Sequence, residues 1–212
     1  MRAKGFPVPE WAERVAATLG EGPHVVVTGI SPSGKIHNLR EVLVAEAVAN
    51  ALRARGEEVR FIFHADTIDP LRKIAPGVPE SFKEYMGHSL SHIPDPEGCH
   101  ESYAEHFLAP FEESLREMEM DIEVLRSHKL YEKGLYTDVT REAIEHTDEL
   151  RGILQGVSGR EVAKSWSPYL PRAASGDLTG NRVLEHLPEE TKVLFVDREG
   201  NEDEADYSRG AS

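Results

Sequence analysis

Hydrophobic and polar positions along the chain change period several times, and each change marks an element. Val25-Val26-Val27-Thr28 is a β-branched run with the composition of a strand buried on both faces of a parallel sheet, and it ends at Gly29. A loop with Pro32 and Gly34 follows, and Asn38 with Glu41 has the capping-box spacing that opens a helix. That helix is predicted to reach about Arg55, where Gly56 supplies the stop. Residues 59–63, Val-Arg-Phe-Ile-Phe, predict a second strand. The intervening helix is long enough for a right-handed crossover, so the two strands should be parallel. Upstream, residues 9–19 predict a short helix closed by Gly20, with Trp11, Val15 and Leu19 on the face expected to meet the sheet.

Beyond the second strand the pattern alternates loops and helices. Residues 71–79 and 94–98 read as loops, and 101–118 as a helix that Pro110 should kink or split in two. Residues 121–125 alternate polar and apolar and predict a third strand. Asp138 is placed to cap a helix running to about Val157, whose stripe of Val139, Ala143, Leu150, Leu154 and Val157 reads as ordinary core. Residues 166–171 are aromatic and bounded by proline, and 174–181 form a small-residue loop. Residues 193–197 with a turn at 199–201 predict a hairpin with a short, acidic second arm. The fold class is therefore α/β: the first half of a doubly wound, Rossmann-like parallel sheet with a mixed α/β insertion. Its expected divisions are 1–75 for the nucleotide-binding half, 76–172 for the continuation and insertion, and 173–212 for a hairpin or flexible end.

Composition narrows the class. With 212 residues, 39% hydrophobic and 29% charged, the chain can bury a substantial core and is neither disordered nor membrane-spanning in composition. The start, Met-Arg-Ala-Lys-Gly-Phe-Pro, lacks the apolar stretch of a secretory signal, and the one cysteine, Cys99, suits a reducing cytoplasm. A formal charge of −14 argues against a surface devoted to nucleic acid.

Candidate chemistry concentrates at the ends of the first two strands, where doubly wound sheets bind ligands. A strand feeding a glycine-bearing loop and then a helix leaves backbone N–H groups and a positive dipole end free to meet an anion. Neither a Walker A motif nor GxGxxG is present. Asp66 and Asp69 follow the second strand, where carboxylates could receive an ammonium group or cap the turn. Arg72 and Lys73 are candidate phosphate contacts or a solvated basic pair. Cys99, His100 and His106 invite zinc, yet no second cysteine stands at structural-zinc spacing, so no metal site is expected.

TGISPSG-x-x-H followed by N-L-R-E resembles the signature of class I aminoacyl-tRNA synthetases, and among them the class I lysyl-tRNA synthetases, whose loop reads roughly GISPSGxxHIGNxRE. Asp66-Thr67-Ile68-Asp69-Pro70-Leu71-Arg72-Lys73, Val78-Pro79, Asp95-Pro96-Glu97-Gly98-Cys99, Ser102-Tyr103-Ala104-Glu105-His106-Phe107 and Ser167-Pro168-Tyr169-Leu170-Pro171 extend the likeness in order over residues 23–172. The resemblance implies ATP-dependent activation of lysine and its transfer to tRNA(Lys). His37, Lys35 and Asn38 would be catalytic, and Pro32, Ser33, Gly34, His37 and Asn38 would hold ATP, with Mg2+ accompanying it. Gly29, Ser31, Asp66, Asp69, Tyr103 and His106 would hold lysine. One departure stands out: His37 is followed directly by Asn38, without the Ile-Gly pair of the family, so the two side chains do not share a helix face. A complete synthetase of this kind also has a second half of the sheet, a KMSKS-type loop and an anticodon-binding domain, and tRNA(Lys) would be met mainly through regions absent from this chain. None of these is recognisable here, and the expectation is an N-terminal half. A non-catalytic lysine- or nucleotide-binding paralogue and another nucleotidyltransferase of the same fold are the alternatives.

Overall fold

The computed structural model describes residues 7–36 and 39–210. Helix α1 (Glu10–Thr18) leads into strand β1 (His24–Ile30), helix α2 (Arg40–Ala54) and strand β2 (Val59–Ala65). Helix α3 (Tyr103–Glu117) precedes strand β3 (Glu123–Arg126), and α4 (Ser127–Glu132), α5 (Thr137–Glu145) and α6 (Thr147–Ser158) follow. Strands β4 (Arg182–Leu187), β5 (Lys192–Val196) and β6 (Glu202–Asp206) close the described chain.

Strands β1, β2 and β3 form a parallel sheet in that order. With its flanking helices it is the first half of a Rossmann-like doubly wound fold. The face carrying Phe61, Phe63 and Ala65 is covered by Val42 and Ala49 of α2 and by Leu108, Phe111 and Leu115 of α3. The rings of Phe63 and Phe111 lie 4.7 Å apart, and burying a side chain of that size contributes about 1.5–3 kcal/mol.

The opposite face departs from the sequence expectation of a strand buried on both sides. Val25 and Val27 are 62% and 57% exposed. β1 is an edge strand, and among the described residues no helix covers these two side chains, so composition suited to a central strand stands on an open face.

Three helices also differ from their sequence patterns. In α1 the small Ala12 and Ala16 turn inward against Ala51 and Leu52 of α2, while Trp11, Val15 and Leu19 stay exposed, because alanines let two helices approach closely. α3 is one continuous helix with Pro110 inside it, so of the kink or split expected at Pro110 the split does not occur. The predicted helix from Asp138 is instead two helices, α5 and α6, divided at His146. The break takes the expected stripe out of the core: Val139 and Leu154 are exposed and Val157 is 86% exposed. Asn38, the expected cap of α2, lies outside the described residues, and Leu39 occupies the N-cap position without a side-chain cap.

The C-terminal segment is an antiparallel sheet in the order β4-β5-β6. The 193–197 and 199–201 signals correspond to β5, its turn and β6, and β4 is an additional strand. Val193, Phe195, Ala205 and Tyr207 are buried between this sheet, Ile144 of α5 and Tyr169. No helix among the described residues is long and apolar enough to cross a membrane.

Candidate functional site

Parallel pairing places Gly29 beside His64 and Ile30 beside Ala65, so the loops after β1 and β2 leave the same edge of the sheet. A Cβ on Gly29 would overlap the carbonyl oxygen of His64, which only glycine avoids. The Asp66 amide then donates to the Ile30 carbonyl at 3.0 Å and draws the two loop starts together. Between them lies an open groove of about 520 Å³ whose walls include Gly29, Ser31, His64, Asp66 and Asp69. The Ser31 hydroxyl is buried and has no hydrogen-bond partner among the described residues. Such an unpaired polar atom is costly unless a ligand satisfies it.

The carboxylates are held from below. The Ser127 hydroxyl receives the amides of Thr67 at 2.8 Å and Ile68 at 3.2 Å and donates to Asp66 Oδ1 at 3.3 Å. Thr67 Oγ1 in turn meets His128 Nδ1 at 2.7 Å, all within the core. Burial and the neighbouring Asp69 push the Asp66 carboxyl above its usual range, against the opposing pull of Ser127, His64 and the Ile68 amide. Asp66 therefore lines the groove, while Ser127 holds both its carboxylate and the turn that follows. Asp69 pairs with Arg72 at 3.3 Å, so Arg72 is engaged with a carboxylate.

The loop of residues 31–36 is braced from α3. The Tyr103 hydroxyl donates to the Ser33 carbonyl at 3.1 Å. Pro32 is buried, and a Cβ on Gly34 would sit 3.0 Å from the Ala75 methyl. Lys35 is exposed and borders a different cavity, of about 360 Å³, with Pro76, Val78, Glu97, His106 and Phe107. His37 and Asn38 lie outside the described residues. The six residues expected to hold lysine are thus divided. Gly29, Ser31, Asp66 and Asp69 share the groove, Tyr103 is fully buried beneath the neighbouring loop, and His106 faces the second cavity.

His106 also belongs to a constellation that cysteine spacing does not suggest. Asp95, Cys99, His100 and His106 bring ligand atoms within 4.8 Å of one another. Cys99 Sγ lies 3.0 Å from His100 Nδ1 and 3.4 Å from His106 Nδ1, and Asp95 reaches the same two nitrogens at 3.2 and 3.1 Å. Burial opposes charge on Asp95, but the amides of Glu97 and His100, the Cys99 thiol and His106 outweigh it, and the carboxyl falls to about 2. The Cys99 thiol is pushed up, by burial and by Asp95. One thiol, two imidazoles and a carboxylate are donor types that could hold a zinc ion.

A sequence profile of tRNA synthetases class I (K) matches residues 9–212. The chain belongs to that family. It is 44% identical over 178 residues to a lysine–tRNA ligase of Archaeoglobus fulgidus, covering 82% of this chain and 36% of that protein. It is 45% identical over 191 residues to lysine–tRNA ligase 1 of Methanosarcina acetivorans, covering 88% and 36%. The Pyrococcus furiosus lysine–tRNA ligase is 45% identical over 163 residues, covering 76% and 30%. The chain thus spans about a third of the length of these relatives.

In this class I (K) synthetase chain, sequence reasoning passed over Ser127, Asp95, Tyr131 of α4 and Tyr136 just before α5. Asp95 begins the stretch Asp95-Pro96-Glu97-Gly98-Cys99, and the spacing Asp-x-x-x-Cys-His-x-x-x-x-x-His is the local signal for its cluster. Ser127 and Tyr136 gave no local signal, because their link to Asp66 and His64 arises only through the pairing of β2 with β3.

Proposed function

We propose that the chain carries the lysine-binding and part of the ATP-binding surface of a cytoplasmic lysine–tRNA ligase. The lysine carboxylate attacks the α-phosphorus of ATP, the α–β phosphoanhydride bond breaks, and lysyl-adenylate and pyrophosphate result; the lysyl group then passes to tRNA(Lys). Catalysis of this kind works by positioning and by charge stabilisation, without a covalent protein nucleophile. Gly29, Ser31, Asp66 and Asp69 hold the amino acid, with a carboxylate receiving an ammonium group. The backbone of residues 32–36, with Lys35, His37 and Asn38, serves the nucleotide. Mg2+ arrives on the ATP phosphates. Among the described residues the metal-binding cluster is the Asp95 set, whose thiol and imidazoles suit zinc in a structural role that ties the 95–100 loop to α3.

The observation that carries this reading is the meeting in one groove of Ser31, whose buried hydroxyl has no partner among the described residues, with two carboxylates, one of them disfavoured as the charged form by burial. Calorimetric titration with lysine and with norleucine tests it. Binding of lysine and none of norleucine is expected, and equal heats for the two would remove the role of the carboxylates.

A further inference from the structure

Thr67 Oγ1 lies in the middle of a buried chain of polar groups that starts at the His128 ring and ends at Asp66. His128 Nδ1 is 2.7 Å from it, the His128 amide donates to it at 3.1 Å, and Ser127 Oγ is 3.1 Å away. Thr67, Ser127 and His128 are all buried, so each hydroxyl proton needs a partner inside the chain. Lone pairs fix where the protons go. Both lone pairs of Ser127 Oγ are taken by the Thr67 and Ile68 amides, so this oxygen has none left for the Thr67 proton. That proton therefore goes to His128 Nδ1, at the shortest separation in the chain, and the ring is the neutral tautomer protonated on Nε2. The Ser127 proton faces Thr67 Oγ1 and Asp66 Oδ1, and charge makes the carboxylate the stronger acceptor. The surroundings keep His128 neutral. Burial and the Lys129 ammonium hold it below its ordinary value, against the opposing pull of Glu132, Glu105 and Glu101. The nearby imidazole of His92 is itself lowered to about 4, by burial and then by Arg172 and His128, and adds no charge at neutral pH.

Resting on the reading of the groove as a lysine site, we propose that His128 is a positioning residue for Asp66. Its unprotonated Nδ1 takes the Thr67 hydroxyl proton, which leaves Ser127 to hold the 66–68 turn with its lone pairs and the Asp66 carboxylate with its proton. His128 is not among the groove-lining residues and acts only through Thr67 and Ser127. A proton on Nδ1 reverses the chain. Nδ1–H would donate to Thr67 Oγ1, whose other lone pair already receives the His128 amide, and the Thr67 proton would be driven onto Ser127 Oγ. Ser127 would then have to release one amide of the turn, and the placement of Asp66 in the groove would go with it.

The test compares His128→Asn with His128→Leu in the 212-residue chain. An asparagine amide oxygen stands close to the place of Nδ1 and can take the Thr67 proton, whereas leucine fills the space without an acceptor. By calorimetry, lysine affinity should fall about fivefold or more in His128→Leu and stay within about twofold of wild type in His128→Asn. Adding Thr67→Val to His128→Leu should restore affinity, because the proton with no acceptor leaves with its oxygen; two merely structural core substitutions would add their losses instead. Hydrogen exchange reads the same turn without ligand. The Thr67 and Ile68 amides should exchange faster in His128→Leu alone, against an unchanged β1 and β2. Nitrogen-15 spectra of the wild-type imidazoles should show His128 with Nδ1 unprotonated at neutral pH, its signal identified by its loss in His128→Asn. A proton on Nδ1 would overturn the assignment, on a protein whose folding no substitution disturbs. So would His128→Leu binding lysine as wild type does, His128→Asn as weak as His128→Leu, or a double variant weaker than His128→Leu. The two readings fail separately. No lysine heats in wild type, with the expected tautomer and exchange pattern, would remove the lysine groove and leave the hold on the 66–68 turn; lysine heats with slow exchange of both amides in His128→Leu would remove only the role of His128.

Discussion

The hydroxyl of Tyr103, at the first turn of α3, holds the carbonyl of Ser33, 70 residues earlier in the chain, at 3.1 Å. A side chain that packs against Phe82 and Phe107 thereby sets the shape of the loop after β1. Tyr103→Phe should keep the packing and lose the hydrogen bond to Ser33, at a cost of about 1 kcal/mol in urea unfolding. ATP affinity should fall with it, since the loop backbone loses its brace. A variant with unchanged unfolding would mean that the hydroxyl contributes nothing.

The Asp95, Cys99, His100 and His106 cluster should bind zinc with a stoichiometry of about one per chain. Cobalt substitution reads this directly: a thiolate-to-cobalt charge-transfer band and tetrahedral visible bands are expected, and Cys99→Ser should abolish the first. Chelation should lower the thermal midpoint, because the metal ties the 95–100 loop to α3. Flat absorption on cobalt addition would show that the four side chains satisfy one another without metal.

Asp66 leads to a prediction about pH. Its folded-state carboxyl lies above the usual range through burial and the adjacent Asp69, so the folded state favours the neutral form. The associated stability is full below the unfolded-state value and is lost as pH rises through the raised folded value. Asp66→Asn should therefore be more stable than wild type at neutral pH, with the gain vanishing in acid. A bound ammonium reverses the preference, so lysine affinity should increase as pH rises through the same window. Calorimetry across that range checks it, and a pH-independent affinity would exclude Asp66 as the counter-ion.

Asp177 joins the C-terminal sheet to the loop at Gly87. Its carboxylate receives the Thr179 amide and hydroxyl and the Arg198 guanidinium, each at 2.8 Å. A side chain on Gly87 would collide with Asp177 and Thr179. Burial opposes the charge, but these donors outweigh it and hold the carboxyl below its ordinary value. The contribution is full above the ordinary carboxylate range and is lost as pH falls through the depressed value. Asp177→Ala should cost about 2 kcal/mol at neutral pH, measured by chemical denaturation, with less effect in acid.

Several elements were legible from residues near one another in the chain. The β-branched run at 25–28, the alternation at 121–125 and Gly56 after α2 act through backbone geometry and hydrogen bonds spanning a turn or less, and the structure carries β1, β3 and the end of α2 there. Ser102 with Glu105 was an equally local signal for the start of α3, where the Ser102 hydroxyl receives the Glu105 amide, and it would have corrected the predicted start by two residues.

Exposure and convergence were decided elsewhere. Periodicity identified faces on α1 and on the 138–157 segment, but which face is buried depends on what packs against it. Alanines drew α1 onto α2, and the break at His146 turned the expected core stripe to solvent. The motifs around Gly29 and Asp66 could be read in the sequence because each lies at a strand end. Their joining into one groove and the division of Tyr103 and His106 from it needed the parallel register of three strands separated by tens of residues. Short-range hydrogen bonding and side-chain period are written into the sequence; the meeting of distant side chains is set by how the elements pack.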